Sequence, residues 1–560
     1  MPKLTRRPPR RHRWMLLLLA AQLVTGPWTP AMAQVRLPAL GESASNEFDL
    51  SQEKRIGEQI MREIRPDPDY LDDPVLLAQL QQLWQPLVQA ARNRGDIGAD
   101  TAKLFPYEAF LVRDRSVNAF ALPGGYVGVH LGLIAMTQTS DELASVLAHE
   151  LSHVTQRHIA RSVSAQSRAS ALGLAGILLG LLMASRASNA DAAQAVIAGG
   201  QAAMVQSQLN FSRDMEREAD RHGQDLMSVA GYSPAGMVSM FDKLDQNSRL
   251  NDSGGFPYLR SHPLTVDRIG EARQRVESGV TLAMPIAPTS LAEPGAAPPA
   301  APSALWHQLL QMRARVLMDP SVQALQRLQS LEQQAQRADL PWARRLVAHA
   351  GAALASTQLR DFARAEVSAQ ALMAMMATPA STPAGAAAQA MDGPTRAVLQ
   401  QLLAQVALSR GDVASARQAL LPLSDDKSRP AIFLRGQLAA AENTPQALRQ
   451  GDQALQVWLA DHPQDAGAWQ LLAQLHQRQG HDLRAVRAEA EAQAAIGNLQ
   501  GAIDRLRAAQ QLARKSAANT DFIEASVVDA RLRDLQSQRR QLLAEQRPTR
   551  GQRRSDDTSD

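Results

Sequence analysis

The pattern of apolar and polar positions divides the chain into two halves of different character. Apolar residues recur with the period of an amphipathic helix over Leu50–Ile64 and again over residues 74–91. A short alternating segment, residues 110–113, reads as a strand. Two more strand-like pieces, Ala119–Leu122 and Tyr126–His130, flank Pro123-Gly124-Gly125, which reads as a turn between paired strands. Helical patterns return from Asp141, and Ser233-Pro234 is a helix start, with serine as N-cap and proline in the first helical position. Residues 34–283 therefore predict an α+β fold, mostly α, with a small β-sheet.

From 285 to 302 proline and alanine dominate and charge almost vanishes, the composition of an extended connector, so a linker is placed at 284–303. Beyond it the chain is almost wholly helical. Turn signals recur at Gly411-Asp412, Asn443-Thr444-Pro445 and Gly480-His481, and the steps from Gly411 to Pro445 to Gly480 are 34 and 35 residues. With Trp469, Leu472, Ala473, Gly480 and Ala485 at the expected offsets, residues 304–535 resemble a degenerate tetratricopeptide array, an all-α solenoid interrupted at 378–394. A plain helical bundle is the alternative. Residues 536–560 read as a helix end followed by a polar tail, disordered from 547.

Composition sharpens this in three places. Aromatics are only 4% of the 560 residues, and much of the apolar content of the second half is Ala and Leu, which favours helices. Residues 1–33 read as an export signal: Lys3, Arg6, Arg7, Arg10, Arg11 and Arg13 precede an apolar run, and Ala31-Met32-Ala33 offers a small-residue cleavage site. Removing those six basic residues turns the net charge from +4 to −2, so the basic balance gives no reason to expect nucleic acid. The chain has no cysteine, which excludes disulfides, thiolate ligands and thiol nucleophiles; any metal must sit on His, Asp and Glu.

The chemistry concentrates in His149-Glu150-Leu151-Ser152-His153. Residues four apart on a helix project within roughly 40° of each other, so both histidines can grip one ion, with Glu150 beside them to take a proton from an attacking water. An ordinary amphipathic helix with two exposed histidines is the plain alternative. The extended motif with a third histidine fails, because Ile159 stands at that position and Gln156 where a turn glycine is needed. His158 points to the opposite side of a continuing helix and is expected at the surface. A better third ligand lies in the run from Ser212 to Asp220, where Glu216 and Asp220 share a helical face while Glu218 points away. One of the pair can bind metal and the other orient a ligand histidine.

The set Asn118-Ala119-Phe120-Ala121-Leu122-Pro123-Gly124-Gly125, His149 to His153, Ser212-Arg213 with Glu216, Ala219 and Asp220, and His262-Pro263 with Arg268-Ile269 resembles the gluzincin family that includes HtpX and the CAAX prenyl protease. The resemblance implies a zincin-type metalloprotease domain with one Zn2+ held by His149, His153 and Glu216. Glu150 would be the general base, and Asp220 and Arg268 would support the ligands from behind. Asn118, Ala119, Phe120, Ala121 and Leu122 would form a strand edge that pairs with extended substrate. His262 would be an additional zinc ligand that blocks the open position, or a stabiliser of the oxyanion; an exposed histidine before proline is the plain reading.

Members of that family with an export signal and a tetratricopeptide domain are periplasmic proteases and assembly factors for outer-membrane proteins. The expected function is thus a zinc-dependent endopeptidase degrading unfolded or misassembled proteins in the periplasm, its repeats recruiting client or outer-membrane assembly machinery. An assembly chaperone with a gated site is the rival, and a membrane-embedded prenyl-protein protease is disfavoured by the export signal. Residues 169–184, apolar and glycine-containing, are short for a span that needs about 20 residues. They read as a lid or membrane-surface helix pair, or as buried core.

Overall fold

Helix α1, Leu50–Ile64, starts at a capping box in which Asp49 accepts from the Gln52 N–H and Gln52 accepts from the Asp49 N–H. The computed structural model describes residues 49–165, 212–250, 257–279, 302–337, 339–378, 382–515 and 521–545. The export segment 1–33, the apolar stretch 169–184, the linker as far as residue 301 and the tail 547–560 lie outside the described residues. Helix α2, Pro74–Arg94, opens with Asp73 capping the Leu76 N–H and Pro74 in the first turn, and ends at Gly95 with φ 80°.

Strands β1 (Tyr70–Leu71), β2 (Glu108–Val112), β3 (Ala119–Leu122) and β4 (Tyr126–His130) form one sheet in the order β1-β2-β4-β3. β3 and β4 are the expected hairpin, turned at Gly124 and Gly125 with φ 77° and 92°, where a side chain would be strained. β2 begins two residues before the alternating stretch and runs parallel to β4; four of its five residues are buried. It lies between β1 and β4 rather than at an edge, and a strand covered on both faces loses its alternation. Helix α1 crosses the hairpin turn so closely that a Cβ on Gly57 would stand 2.1 Å from the Pro123 carbonyl oxygen.

Helix α3, Ser140–Thr155, is capped by Thr139 through the Glu142 N–H, and 14 of its 16 residues are buried. It lies inside the molecule because α2, β3, α4 (Arg213–Val229) and α5 (Ala235–Leu250) all pack against it. Gly223 lets α4 approach to the point where a Cβ would be 3.3 Å from the His149 backbone nitrogen. α5 starts one residue later than Ser233-Pro234 suggests; the Ser233 N–H bonds across to Asp141 at 3.0 Å. Helix α6, Val266–Glu277, is capped by Thr265.

Past residue 302 the chain is helical throughout its described part, as expected. Helix α7, Ala304–Met318, inserts Trp306, Leu310 and Ala314 into the same core as Leu80, Trp84, Leu147 and Met237. Arg313 on α7 pairs with both oxygens of Asp73 at 2.7 Å and with Gln405 at 3.0 Å. His307 Nε2 lies 3.2 Å from the Thr137 carbonyl just before α3, and burial pushes its pKa down to about 4. The later helices pack on their neighbours in sequence, with Gly411, Asn443 and Gly480 in left-handed turns between them. The interrupting segment holds a short helix, Pro383–Gln389. Arg429 fastens the array to the N-terminal half, bonding Asp72 at 2.6 and 2.8 Å and Asp465 at 2.7 and 2.8 Å. A cleft of about 1130 Å³ opens there, lined by Tyr70, Gln81, Gln85, Arg429, Trp458 and Gln470 among others. Among the described residues no helix is long and apolar enough to cross a membrane.

Candidate metal centre

Helix α3 sets His149 and His153 one turn apart, and α4 sets Glu216 and Asp220 one turn apart where it crosses α3. Ser212 caps the Met215 N–H, which fixes where α4 begins and so which residues meet the histidines. His262 arrives from the loop after the short helix Pro257–Ser261, its N–H bonded to the Tyr258 carbonyl at 2.9 Å.

Nε2 of His149 and Nε2 of His153 are 3.0 Å apart; His262 Nδ1 is 3.3 Å from the first and 3.0 Å from Glu216 Oε1. Glu216 oxygens lie 3.4 Å from His153 Nε2 and 3.5 Å from His149 Nε2. Four nitrogen and oxygen donors held at about 2.0–2.1 Å around a tetrahedral zinc stand roughly 3.3 Å from one another. The four buried side chains therefore fit one zinc ion as they stand.

Two further features point to the same centre. Glu150 is fully buried, yet neither of its carboxylate oxygens has a hydrogen-bond partner among the described residues; Oε1 lies 3.5 Å from His262 Nε2. A buried carboxylate in that condition serves a site rather than the fold. Behind His149, Asp220 Oδ1 lies 2.9 Å from Nδ1 and is itself clamped by Arg268 through bonds of 2.6 and 2.8 Å. Arg268 also reaches the Pro263 carbonyl at 2.8 Å and Glu216 Oε2 at 2.7 Å, so one guanidinium ties both acids to the His262 loop.

The electrostatics favour a cation. Burial opposes charge on His149, but its hydrogen bonds to Asp220 and Glu216 raise its pKa to about 9. Burial dominates at His153 and lowers it to about 3, with His149 and His262 adding to the effect against the bond to Glu216. Glu216, despite burial, is held well below the usual carboxylate range by His262, His149 and His153.

The structure thus gathers His149, Glu150, His153, Glu216, Asp220, His262 and Arg268 into one centre. Strand β3, with Asn118 just before it, stands at the sheet edge and packs on α3, with β4 as its one strand partner among the described residues. Its Phe120 ring covers Gly128 and meets Phe110 and His130 edge-on, so that side chain belongs to the sheet face and the backbone is what the edge offers. His158 is a correction: it is fully buried, with Nδ1 at 2.9 Å from His153 Nδ1. The helix does not continue past Thr155: Arg157 takes φ 53°, and a separate helix, His158–Ala165, begins after it. Tyr258 was also not anticipated; buried, it stacks on His262 at 4.7 Å, and its position four residues earlier was the only clue in the sequence.

A buried His-Glu-x-x-His helix resting on a small mixed sheet, with an acidic third donor from a later helix, defines a zincin-type metallopeptidase domain. Residues 78–276 match peptidase family M48, a zinc-dependent family. It is 38% identical over 255 residues to the putative beta-barrel assembly-enhancing protease of Vibrio cholerae serotype O1, covering 45% of this chain and 50% of that one. It is 32% identical over 263 residues to the beta-barrel assembly-enhancing protease of Escherichia coli K12, covering 47% and 52%. Metalloprotease LoiP of the same E. coli strain is 29% identical over 172 residues, covering 31% and 63%. The chain spans about half the length of the first two relatives.

Proposed function

We propose that this chain is an exported zinc metalloendopeptidase that degrades unfolded or misassembled proteins in the periplasm, in the course of outer-membrane protein assembly. The observation that carries it is the buried cluster of His149, His153, Glu216 and His262 beside the unbonded carboxylate of Glu150. The domain division is that of the sequence: signal 1–33, peptidase 34–283, linker 284–303, and tetratricopeptide-like repeats 304–535 that recruit client or assembly machinery. The cleft bordered by Gln81, Arg429 and Trp458 supports a recruiting role, since a solenoid surface suits extended polypeptide.

In this mechanism His149 Nε2, His153 Nε2 and Glu216 would hold the zinc. Bound zinc supplies Lewis-acid polarisation of the scissile carbonyl and a more acidic water. Glu150 takes the proton from the attacking water and hands it to the departing amine. Asp220 accepts the Nδ1–H of His149, keeping the Nε2 lone pair on the metal side. The backbone of Ala119 to Leu122, with Asn118 at its start, aligns the substrate by strand addition. His262 would be a fourth donor that closes the resting site, so its loop would have to withdraw for substrate to enter.

Metal analysis tests the whole reading: purified protein should hold about one zinc per chain and lose cleavage of an unfolded protein on chelation, regaining it with zinc. Less than about half an equivalent after careful handling contradicts it. His262→Ala separates the roles of that histidine. The variant should cleave faster than wild type by several-fold, on the order of the tenfold that about 1.4 kcal/mol of closure represents; slower cleavage would assign His262 to the oxyanion instead. The position of His262 among the donors also favours a second reading, an assembly chaperone whose protease is secondary. Full assembly-promoting activity in a protein unable to cleave would select it.

A further inference from the structure

His153 cannot take its orientation from the residues that hold His149. With Nε2 turned to the cluster, its remaining ring proton sits on Nδ1, and Nδ1 faces the buried His158 Nδ1 at 2.9 Å. His158 then accepts that proton's hydrogen bond and turns its Nε2 to within 3.3 Å of Glu218 Oε2, an ion-pair distance without hydrogen-bond geometry. Glu218 is bonded in turn by Arg161 Nη1 at 3.0 Å. The chain His153, His158, Glu218, Arg161 mirrors His149, Asp220, Arg268 on the other side of the site. Each runs from a histidine to a carboxylate and ends on an arginine.

We infer that His158 is a positioning residue for the metal centre, orienting His153 through a relay anchored by Glu218 and Arg161, an inference that rests on the metal-site reading above. A ligand histidine whose outer nitrogen is held has its tautomer and ring plane fixed before metal arrives, and its basicity raised. The sharp bend at Arg157 is what delivers this: continuing α3 would carry His158 away from His153, whereas the left-handed residue turns it back beneath the ligand. Glu218, two residues after Glu216 on the same helix, shows why both acids are present. One faces the donors and the other braces a donor from outside.

The test is zinc affinity by competition with a chromophoric chelator, read together with thermal unfolding of metal-stripped protein. His158→Leu should weaken zinc binding about 10–100-fold, the usual effect of removing a ligand's outer partner. The stripped variant should unfold within a few degrees of stripped wild type. His158→Gln, which keeps an acceptor, should recover most of the affinity, and Glu218→Gln should show a smaller loss, roughly three- to tenfold. Zinc affinity within about twofold of wild type in His158→Leu overturns the inference. Glutamine no better than leucine at this position also overturns it. Should the leucine variant fail to fold, Glu218→Gln decides, since that side chain is 29% exposed and its replacement leaves the core intact. Wild type without zinc, or His149→Ala binding zinc as well as wild type, would instead bring down the metal-site reading, a distinguishable result.

Discussion

Glu150→Gln is expected to lower client cleavage about a hundred- to ten-thousandfold, the range a general base contributes, while zinc stays at one per chain. The reason is the division of labour in the cluster. The four donors are His149, His153, Glu216 and His262, and Glu150 stands outside them, with its Oε1 3.5 Å from His262 Nε2. Glutamine keeps the shape and removes the basic oxygen. Folding should not suffer. A buried carboxylate without hydrogen bonds opposes the folded state, so the neutral amide should leave the melting temperature equal or higher. Single-turnover cleavage of an unfolded protein, zinc content and thermal unfolding on the same preparations check all three. Cleavage at the wild-type rate would remove Glu150 from the mechanism, and loss of zinc would make it a ligand.

How far the sequence could be read follows from what each residue depends on. His149, His153, Glu216 and Asp220 were legible because four-residue spacing on one helix decides which side chains share a face, and both helices begin at capped, local signals. The hairpin was legible from two glycines in a turn that needs positive φ. His158 was not. Its placement hinges on a non-glycine residue adopting a left-handed conformation, which no local preference of arginine announces. The parallel pairing of β2 with β4 depends on contacts far along the chain, and a fully buried strand loses the alternation that would mark its ends. The seating of α7 was hidden for a related reason. Arg313 reads as a surface residue until Asp73, 240 positions earlier, is placed opposite it.

Arg313→Ala should destabilise the protein by about 3–5 kcal/mol at neutral pH, because it strands a largely buried carboxylate. Arg313 is 3% exposed and meets Asp73 through two bonds of 2.7 Å, while Asp73 also caps α2 at the Leu76 N–H. Burial alone would raise the pKa of Asp73; Arg313, the Leu76 N–H and Arg429 lower it below its ordinary value instead. A carboxyl with a depressed folded pKa contributes stability above its unfolded pKa of about 3.9 and loses it as pH falls through the folded value. In the alanine variant burial is no longer opposed by Arg313, so Asp73 titrates higher, and protonation relieves the stranded charge. The gap between wild type and variant should accordingly be widest near pH 7 and narrow as the pH falls towards 4. The double variant Asp73→Asn with Arg313→Met should recover much of the loss, since asparagine still caps the helix and neither group is charged. Urea unfolding of the three proteins at both pH values measures this. A loss under about 1 kcal/mol at neutral pH would show that the pair is solvated and that α7 is held by Trp306 and its apolar neighbours alone.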